Sequence, residues 1–462
     1  FPTVDTPADQ TYDLPNAGGQ EPLVEYRIAN VKTSSTDKDA SSAFLKYADF
    51  SHYVDYFNGM EDENIIQAIP NAQASEWMEE NIPLFECPQR NFEEMYYYRW
   101  WSLRKHIKET PVGYGMTEFL VQRSYSDKYN LIACAIGHHI YESRWLRDPK
   151  YLDQIIHTWY RGNEGGPMKK MDKFSSWNAD AVLARYMVDG DKDFMLDMTK
   201  DLETEYQRWE RTNRLKNGLY WQGDVQDGME ESISGGRKKK YARPTINSYM
   251  YGNAKALSLM GILSGDEGAA MRYGMKADTL KTLVDTELWN TRHQFFETMR
   301  TDSSANVREA IGYIPWYFNL PDTAKKYEVA WKEIMDEKGF SAPYGLTTAE
   351  RRHPEFRTRG VGKCEWDGAI WPFASAQTLT AMANFMNNYL QTVLSDSVYF
   401  RQMELYVESQ YHRGRPYIGE YLDEVTGYWL KGDQERSRYY NHSTFNDLMI
   451  TGLIGLRPRL DN

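Results

Sequence analysis

Two acidic clusters in loop-like sequence contain the residue types that could cleave a sugar linkage. Residues 221–232 read WQGDVQDGMEES and residues 419–427 read GEYLDEVTG, so each cluster combines carboxylates with aromatic rings. Breaking a glycosidic bond needs one protonated carboxyl, which gives a proton to the leaving oxygen, and one ionised carboxylate on the opposite side, which acts as base or nucleophile. The two distant clusters can supply one group each.

Aromatic residues are abundant along the whole chain. They make up 14% of the 462 residues and include 14 Trp and 34 Tyr. The flat C–H faces of sugars stack on such rings, and the same rings also pack helices together. Both interpretations fit this composition.

The charge balance argues against a nucleic-acid partner. The chain carries 54 basic and 66 acidic residues, a formal net charge of −12, without a long basic stripe. An oligosaccharide or glycoside is the expected partner. The single basic run, residues 237–240 (RKKK), follows the first acidic cluster and is interpreted either as a solvated loop or as a site for an acidic sugar.

The ends and the hydropathy of the chain suggest its location. No apolar stretch approaches the ~20 residues that a membrane-spanning helix needs. The chain begins Phe1-Pro2-Thr3 without Met, which we interpret as a mature protein whose signal segment has been removed or omitted. We therefore expect export to the periplasm or the extracellular space.

No metal or cofactor is predicted. The adjacent His138 and His139 would point in different directions on a helix, and the nine histidines form no HExxH spacing. A structural Ca²⁺ held by loop carboxylates stays open. Cys87, Cys134 and Cys364 are an odd number, and we assign no disulfide.

The elements that must position the acidic clusters are helices. Residues 1–40 lack helical periodicity and are expected to form an N-terminal arm or linker, whereas residues 41–462 are expected to form the catalytic domain. From residue 90 onward, apolar spacing predicts twelve helical segments, approximately 90–107, 127–145, 149–162, 174–189, 192–214, 245–263, 265–287, 307–318, 322–334, 368–385, 387–411 and 443–455.

Twelve helices form six hairpins, as in a closed (α/α)6 toroid. Some segments are rich in aromatic and small residues and others carry charges between apolar positions, which favours an inner buried ring inside an outer solvated ring. A helical-repeat solenoid is the alternative, but the chain shows no fixed-period signature. Three long insertions, at about 215–244, 335–366 and 412–442, hold the acidic and aromatic residues, and we expect them to meet at one mouth of the toroid.

The acidic clusters resemble motifs of glycoside hydrolase family 63 and its mannosylglycerate-hydrolase-like branch, over about residues 85 to 457. The family's first motif is Ser-Gly-apolar-Asp, and its Asp acts as the general acid. Residues 227–230 (DGME) occupy that place, so the resemblance implies that Glu230 is the acid, with Asp227 and Glu231 as alternatives. The second motif, Glu-Tyr-x-Asp-x-x-Thr-Gly, matches from Glu420, which then corresponds to the general base.

A third stretch is similar to the family's Tyr-Trp-Arg-Gly-Pro-Ile-Trp. It contains Trp366, Asp367 and Trp371, and Asp367 stands where the family has Arg. Because Arg donates hydrogen bonds and Asp accepts them, we expect a different substrate from that of the named relatives. The predicted substrate-binding residues are Trp221, Asp227, Asn247, Trp366, Asp367, Trp371, Arg144, Trp145 and Trp177.

The resemblance implies an inverting exo-glycosidase that acts on an α-linked sugar. For Asn247, helix capping is an equally good explanation. A polysaccharide lyase or unsaturated-uronide hydrolase on a similar toroid is one alternative function, and a non-catalytic exported glycan-binding protein is another.

Overall fold

The computed structural model describes residues 45–460, so the predicted arm at residues 1–40 lies outside the described residues. The described chain is mainly helical. Its α-helices are α1 (Ser51–Asn58), α2 (Ala74–Asn81), α3 (Arg90–Arg104), α4 (Ile136–Ser143), α5 (Lys150–Arg161), α6 (Asn178–Asp189), α7 (Lys192–Asn213), α8 (Pro244–Ser264), α9 (Glu267–Leu283), α10 (Ile314–Tyr317), α11 (Pro372–Asn388), α12 (Asp396–Glu408) and α13 (Asn446–Leu448).

Six of these helices form a closed inner ring. In the order α4, α6, α8, α10, α11 and α13, each helix contacts the next, and α13 contacts α4. Around them lie α3, α5, α7, α9, α12 and a 3-10 helix, Glu328–Ile334, which alternate with the inner helices along the chain. The predicted (α/α)6 toroid is confirmed.

The two rings differ in sequence because they differ in burial. Outer helix α7 buries one stripe, including Met195, Met198 and Leu202, and exposes charged residues between them. Inner helix α8 is buried on all sides over most of its length. Between α6 and α7, Gly190 adopts a φ of 70° and the Asp191 carboxylate accepts a hydrogen bond from the Phe194 backbone N–H, which makes the turn tight.

Three predicted helices are shorter than their apolar patterns. The segment at 307–318 forms a 3-10 turn followed by the one-turn helix α10, and the segment at 322–334 forms only a 3-10 helix. The last segment begins with α13 and continues as a π-helical turn, Met449–Leu453. Pro315 lies within the first of these segments and Pro321 lies between the first and the second, and proline removes an N–H donor that a longer helix needs.

The outer helix α3 is buried over most of its length. Helices α1 and α2 pack on it, and neither was among the twelve predicted segments. They cover the rings of α3, where Tyr53 and Phe50 both stack on Tyr97.

Short hairpins shape the loops at the mouth. The strands are β1 (Ile107–Thr110), β2 (Gly113–Met116), β3 (Trp221–Gln222), β4 (Tyr241–Ala242), β5 (Trp289–Asn290), β6 (Phe295–Phe296), β7 (Ser341–Ala342), β8 (Gly345–Leu346), β9 (Tyr411–His412) and β10 (Arg415–Pro416). They pair as five antiparallel two-stranded hairpins. The β3–β4 pair closes the base of the loop that carries the first acidic cluster.

Candidate active site

The loop that carries Glu230 is anchored at Asp227. The Arg243 Nε lies 2.6 Å from Asp227 Oδ2, and the Ser175 hydroxyl donates to Oδ1 at 2.5 Å. Thr245 also donates to the Asp227 carboxylate. Both charged side chains of the Asp227–Arg243 pair are fully buried, so Asp227 ties the loop to the N-terminal turn of α8.

Glu230 follows this anchor and lies in an environment that favours its protonated form. Burial raises the pKa of Glu230 to about 7, and its own backbone N–H opposes the rise. The negative charges of Glu420 and Asp224 raise it further. The two acidic clusters of the sequence therefore lie close enough to interact electrostatically.

Glu420 is almost completely buried on the second loop. Its backbone N–H donates to the Ser437 hydroxyl, and its Oε2 lies 3.4 Å from Arg436 Nη2. Burial raises the pKa of Glu420, and the positive charges of Lys431, Arg436 and Arg123 oppose this rise. The pKa values of both carboxyls are therefore raised, and the cations around Glu420 limit the rise there.

The Glu420 loop is joined to the third predicted stretch. Leu422 forms antiparallel bridges with Ile370 and with Trp429. Trp371 is stacked between Trp366 and Tyr421, with ring centroids 4.3 and 4.6 Å apart. Because these rings cover the faces of Trp371, a sugar can reach only its edge.

Trp366 connects this aromatic stack to the Glu230 loop. It lines the same small cavity as Met229, the residue before Glu230. Its indole N–H is buried and has no hydrogen-bond partner among residues 45–460. A buried donor without a partner is costly unless a ligand supplies an acceptor, so the Trp366 indole N–H can serve a bound sugar.

A third carboxyl, Glu118, belongs to the same cluster and was not predicted. It lies in the connection between β2 and α4, and the Tyr440 hydroxyl donates to its Oε1 at 2.6 Å. Its Oε2 is buried and accepts no hydrogen bond from the described residues. Burial raises the pKa of Glu118 to about 8, and the charges of Glu420 and Glu230 add to this effect. In the sequence, Glu118 is marked only by its position beside Phe119 and ahead of an inner helix. Many other acidic residues have a similar position.

Arg144 and Trp145 lie at the C-terminal end of α4 and share one partner. The guanidinium of Arg144 binds Asp447 Oδ1 at 2.8 and 2.9 Å and donates to the carbonyl of Ala184, and the Trp145 indole N–H donates to the same Asp447 oxygen at 2.7 Å. These bonds join α4, α6 and α13. The structure does not bring either residue together with Glu230, whose loop precedes the N-terminus of an inner helix.

The other predicted binding residues make contacts within the protein. Asn247 accepts a hydrogen bond from the Tyr220 backbone N–H and donates to the Tyr220 and Arg243 carbonyls, so it holds β3 against the start of α8. Asp367 Oδ2 accepts from the backbone N–H groups of residues 359 and 360. Trp177 is fully buried beside the rings of inner helices.

Trp221 is half-buried at the base of the Glu230 loop, where the Lys240 ammonium lies 4.3 Å from its ring centroid. The cysteines Cys87, Cys134 and Cys364 are all unpaired. Within residues 45–460, no group of three or more His, Cys, Asp or Glu is arranged to hold a metal ion. No described helix combines the length and the apolarity needed to cross a membrane.

This architecture agrees with a family comparison. Residues 128–443 match the model of the mannosylglycerate hydrolase MGH1-like glycoside hydrolase domain. The chain belongs to this family of glycoside hydrolases. The predicted resemblance is therefore confirmed at the level of the family.

Solved structures of low sequence identity share the fold of this chain. The family 63 mannosylglycerate hydrolase of Thermus thermophilus, in complex with glucose, is 12% identical with a TM-score of 0.58 over 77% of this chain and 99% of its own. A rhamnosidase from Klebsiella oxytoca is 8% identical with a TM-score of 0.56 over 80% of this chain and 65% of its own. At these identities the likeness concerns the fold alone.

A much nearer relative is longer. A solved structure named sialidase is 96% identical with a TM-score of 0.91, and it covers 100% of this chain. The chain spans 43% of the length of that protein. More than half of the protein that carries this name therefore lies outside the matched region.

Proposed function

We propose that the chain is an inverting, exo-acting glycosidase that hydrolyses an α-linked sugar, with Glu230 as general acid and Glu420 as general base. The observation that carries the proposal is that Glu230 and Glu420 lie near enough for the charge of Glu420 to add to the rise in the pKa of Glu230. They come from loops about 190 positions apart in the sequence. Trp366, which lines a cavity with Met229, stacks on Trp371, and Trp371 stacks on Tyr421, the residue after Glu420. The exo action and the α linkage follow from the resemblance to family 63.

The acid role rests on the environment of Glu230. An acid catalyst must hold its proton near the working pH and release it in the transition state. Burial and the charge of Glu420 raise the pKa of Glu230 to about 7, which meets this requirement. Asp227 is a poorer candidate because Arg243 and two hydroxyls occupy its carboxylate. Glu231 is paired with Arg237 at 2.7 Å.

The base role rests on the cations near Glu420. Arg436, Lys431 and Arg123 favour the ionised form, which can take a proton from an attacking water. In an inverting enzyme the two carboxyls are roughly 6.5–9.5 Å apart, which leaves room for this water. Burial raises the pKa of Glu118 to about 8, so at neutral pH its protonated carboxyl can donate a hydrogen bond to a sugar hydroxyl without adding a charge.

The first experiment is a hydrolysis screen with nitrophenyl α- and β-glycosides of hexoses and pentoses and with glycan oligosaccharides. We expect release of a single monosaccharide from the non-reducing end. Glu420→Gln should lower the turnover number by ~10²–10⁴-fold. Glu435→Gln is the matched control, because Glu435 is exposed on the same loop.

Near-normal turnover in Glu420→Gln would refute the role of the base. A product with an unsaturated, ultraviolet-absorbing end would instead identify a lyase. Binding of glycans without any turnover by the wild-type chain would support a binding protein.

A further inference from the structure

A basic groove lies on the flank of the Glu230 loop. It has a volume of about 400 Å³, within the ~300–1,000 Å³ that is usual for small-molecule sites. Four segments form it: the residues before α6, the C-terminal end of α7, strand β3 and the residues before β4. The basic residues that line the groove are Lys173, Arg208, Arg237, Lys238, Lys239 and Lys240.

Most of this positive charge is not neutralised by the protein. Arg208 is paired with Asp172 at 3.0 Å, and Arg237 is paired with Glu231 at 2.7 Å. The four lysines of the groove form no ion pair with the described residues. A local excess of four positive charges on a chain with a net charge of −12 indicates a site for an anion.

The groove also presents aromatic surface. Trp221 and Trp209 line it together with polar residues of the 213–226 stretch. Trp221 is half-buried, and the Lys240 ammonium lies over its ring, 4.3 Å from the centroid, so the groove holds an aromatic ring and a cation in direct contact. This combination suits a sugar that carries a carboxylate, since the C–H face packs on the indole and the acid group pairs with the ammonium.

The groove is next to the acid of the proposed reaction. Arg237 pairs with Glu231, the neighbour of Glu230, and all three belong to one loop. On the other side, the Lys173 ammonium lies 5.8 Å from the ring centroid of Tyr125. Burial raises the pKa of Tyr125, and the nearby charges of Glu118 and Glu420 raise it further. A general acid protonates the leaving oxygen, so the leaving group lies on its side of the scissile bond.

We propose that this basic groove binds the carboxylates of an acidic oligosaccharide that is the leaving group of the reaction. The substrate class is then a terminal sugar attached to a uronate-containing glycan. The assignment as leaving group rests on the proposed function, whereas anion binding by the groove stands by itself.

Binding is tested by calorimetry with trigalacturonate as the probe. The variant K238A/K239A/K240A should weaken binding by about tenfold or more, because it removes three of the unpaired charges. The control K325A/K326A/K332A makes the same change in net charge at exposed positions outside the groove and should bind as the wild type does. Methyl-esterified trigalacturonate, which lacks the charges, should bind the wild type as weakly as the acid binds the groove variant.

Equal affinity for the acid and its methyl ester would overturn the proposal, and so would equal weakening by both triple variants. Inorganic phosphate that competes as strongly as the trisaccharide would show a simple anion site and would also overturn it. Affinity that falls with rising salt only for the acid would support it.

The link to turnover is tested separately with two substrates of the same terminal sugar, one with a neutral and one with a uronate leaving group. The groove variant should raise KM for the uronate substrate about tenfold and leave the neutral substrate unchanged. Equal effects on both substrates would refute the leaving-group assignment. If Glu420→Gln retained full turnover, the proposed function would fail, but the calorimetric result would still decide whether the groove binds acidic glycans.

Discussion

Replacing Glu230 by Gln removes the proton that the proposed mechanism transfers to the leaving oxygen. The cost should depend on how much help the leaving group needs. For a natural glycoside, whose leaving alkoxide is a strong base, we expect turnover to fall by ~10²–10⁴-fold. For a glycosyl fluoride, which needs little protonation, the loss should be much smaller.

The pKa of Glu230 sets the expected pH dependence of the wild type. With a pKa of about 7, half of the carboxyls carry a proton at pH 7, and the protonated fraction falls about tenfold for each further pH unit. kcat/KM on a natural glycoside should therefore fall on the alkaline side with this slope from about pH 7. In Glu230→Gln this alkaline limb should disappear.

The assay compares kcat/KM between pH 5 and pH 9 on both substrates, with Glu231→Gln as the control. Glu231 is the next residue and an alternative acid, and it is held by Arg237. The reasoning is refuted if Glu230→Gln slows both substrates equally, or if its alkaline limb stays at the wild-type position. A larger loss in Glu231→Gln would move the acid role to that residue.

Three further predictions concern stability and affinity. The raised pKa of Glu118 means that the folded chain binds its proton more tightly than the unfolded chain, so stability falls as the pH rises from about 4.5 to about 8. Glu118→Gln should abolish this loss of stability, which is at most roughly 5 kcal/mol. The melting temperatures of the variant at pH 5 and pH 9 should then differ less than those of the wild type. An unchanged difference would contradict the argument that burial raises the pKa of Glu118. Arg243→Ala leaves the buried Asp227 charge unpaired and should lower the free energy of unfolding by ~3–5 kcal/mol, measured by urea denaturation, whereas a loss below about 1 kcal/mol would show that the anchor is unimportant. Trp366→Phe should raise KM more than it lowers kcat, and a pure kcat effect would contradict a sugar contact.

The long helices were predictable because their apolar spacing is dense and their ends carry caps. Helices α6 and α7 follow the predicted segments within a few residues, with Gly190 and Asp191 at the turn between them. The short elements near 310–334 and 446–453 were predicted as full helices, because apolar spacing alone gives no sign of the true length of an element. Helices α1 and α2 were not counted in the ring, and they cover α3 instead.

The site was predictable only where a local motif marks it. Glu230 and Glu420 lie in loops with recognisable motifs. Glu118 instead accepts a hydrogen bond from Tyr440, which is 322 positions away in the sequence. Arg144 shows the same limit. Its spacing beside Trp145 suggested a sugar contact, but its partner Asp447 lies 303 positions further along the chain. Contacts over such separations are set by the closing of the ring and leave no local pattern in the sequence.

The first-formed anomer of the product tests the central claim most directly. Proton NMR of the reaction, recorded before the free sugar equilibrates, shows whether the anomeric configuration has changed. If Glu230 protonates the leaving oxygen while Glu420 activates water on the opposite face, the released sugar must have the inverted configuration. A product that keeps the configuration of the substrate would mean that one carboxylate attacks the sugar directly, and it would contradict the acid and base roles assigned to Glu230 and Glu420.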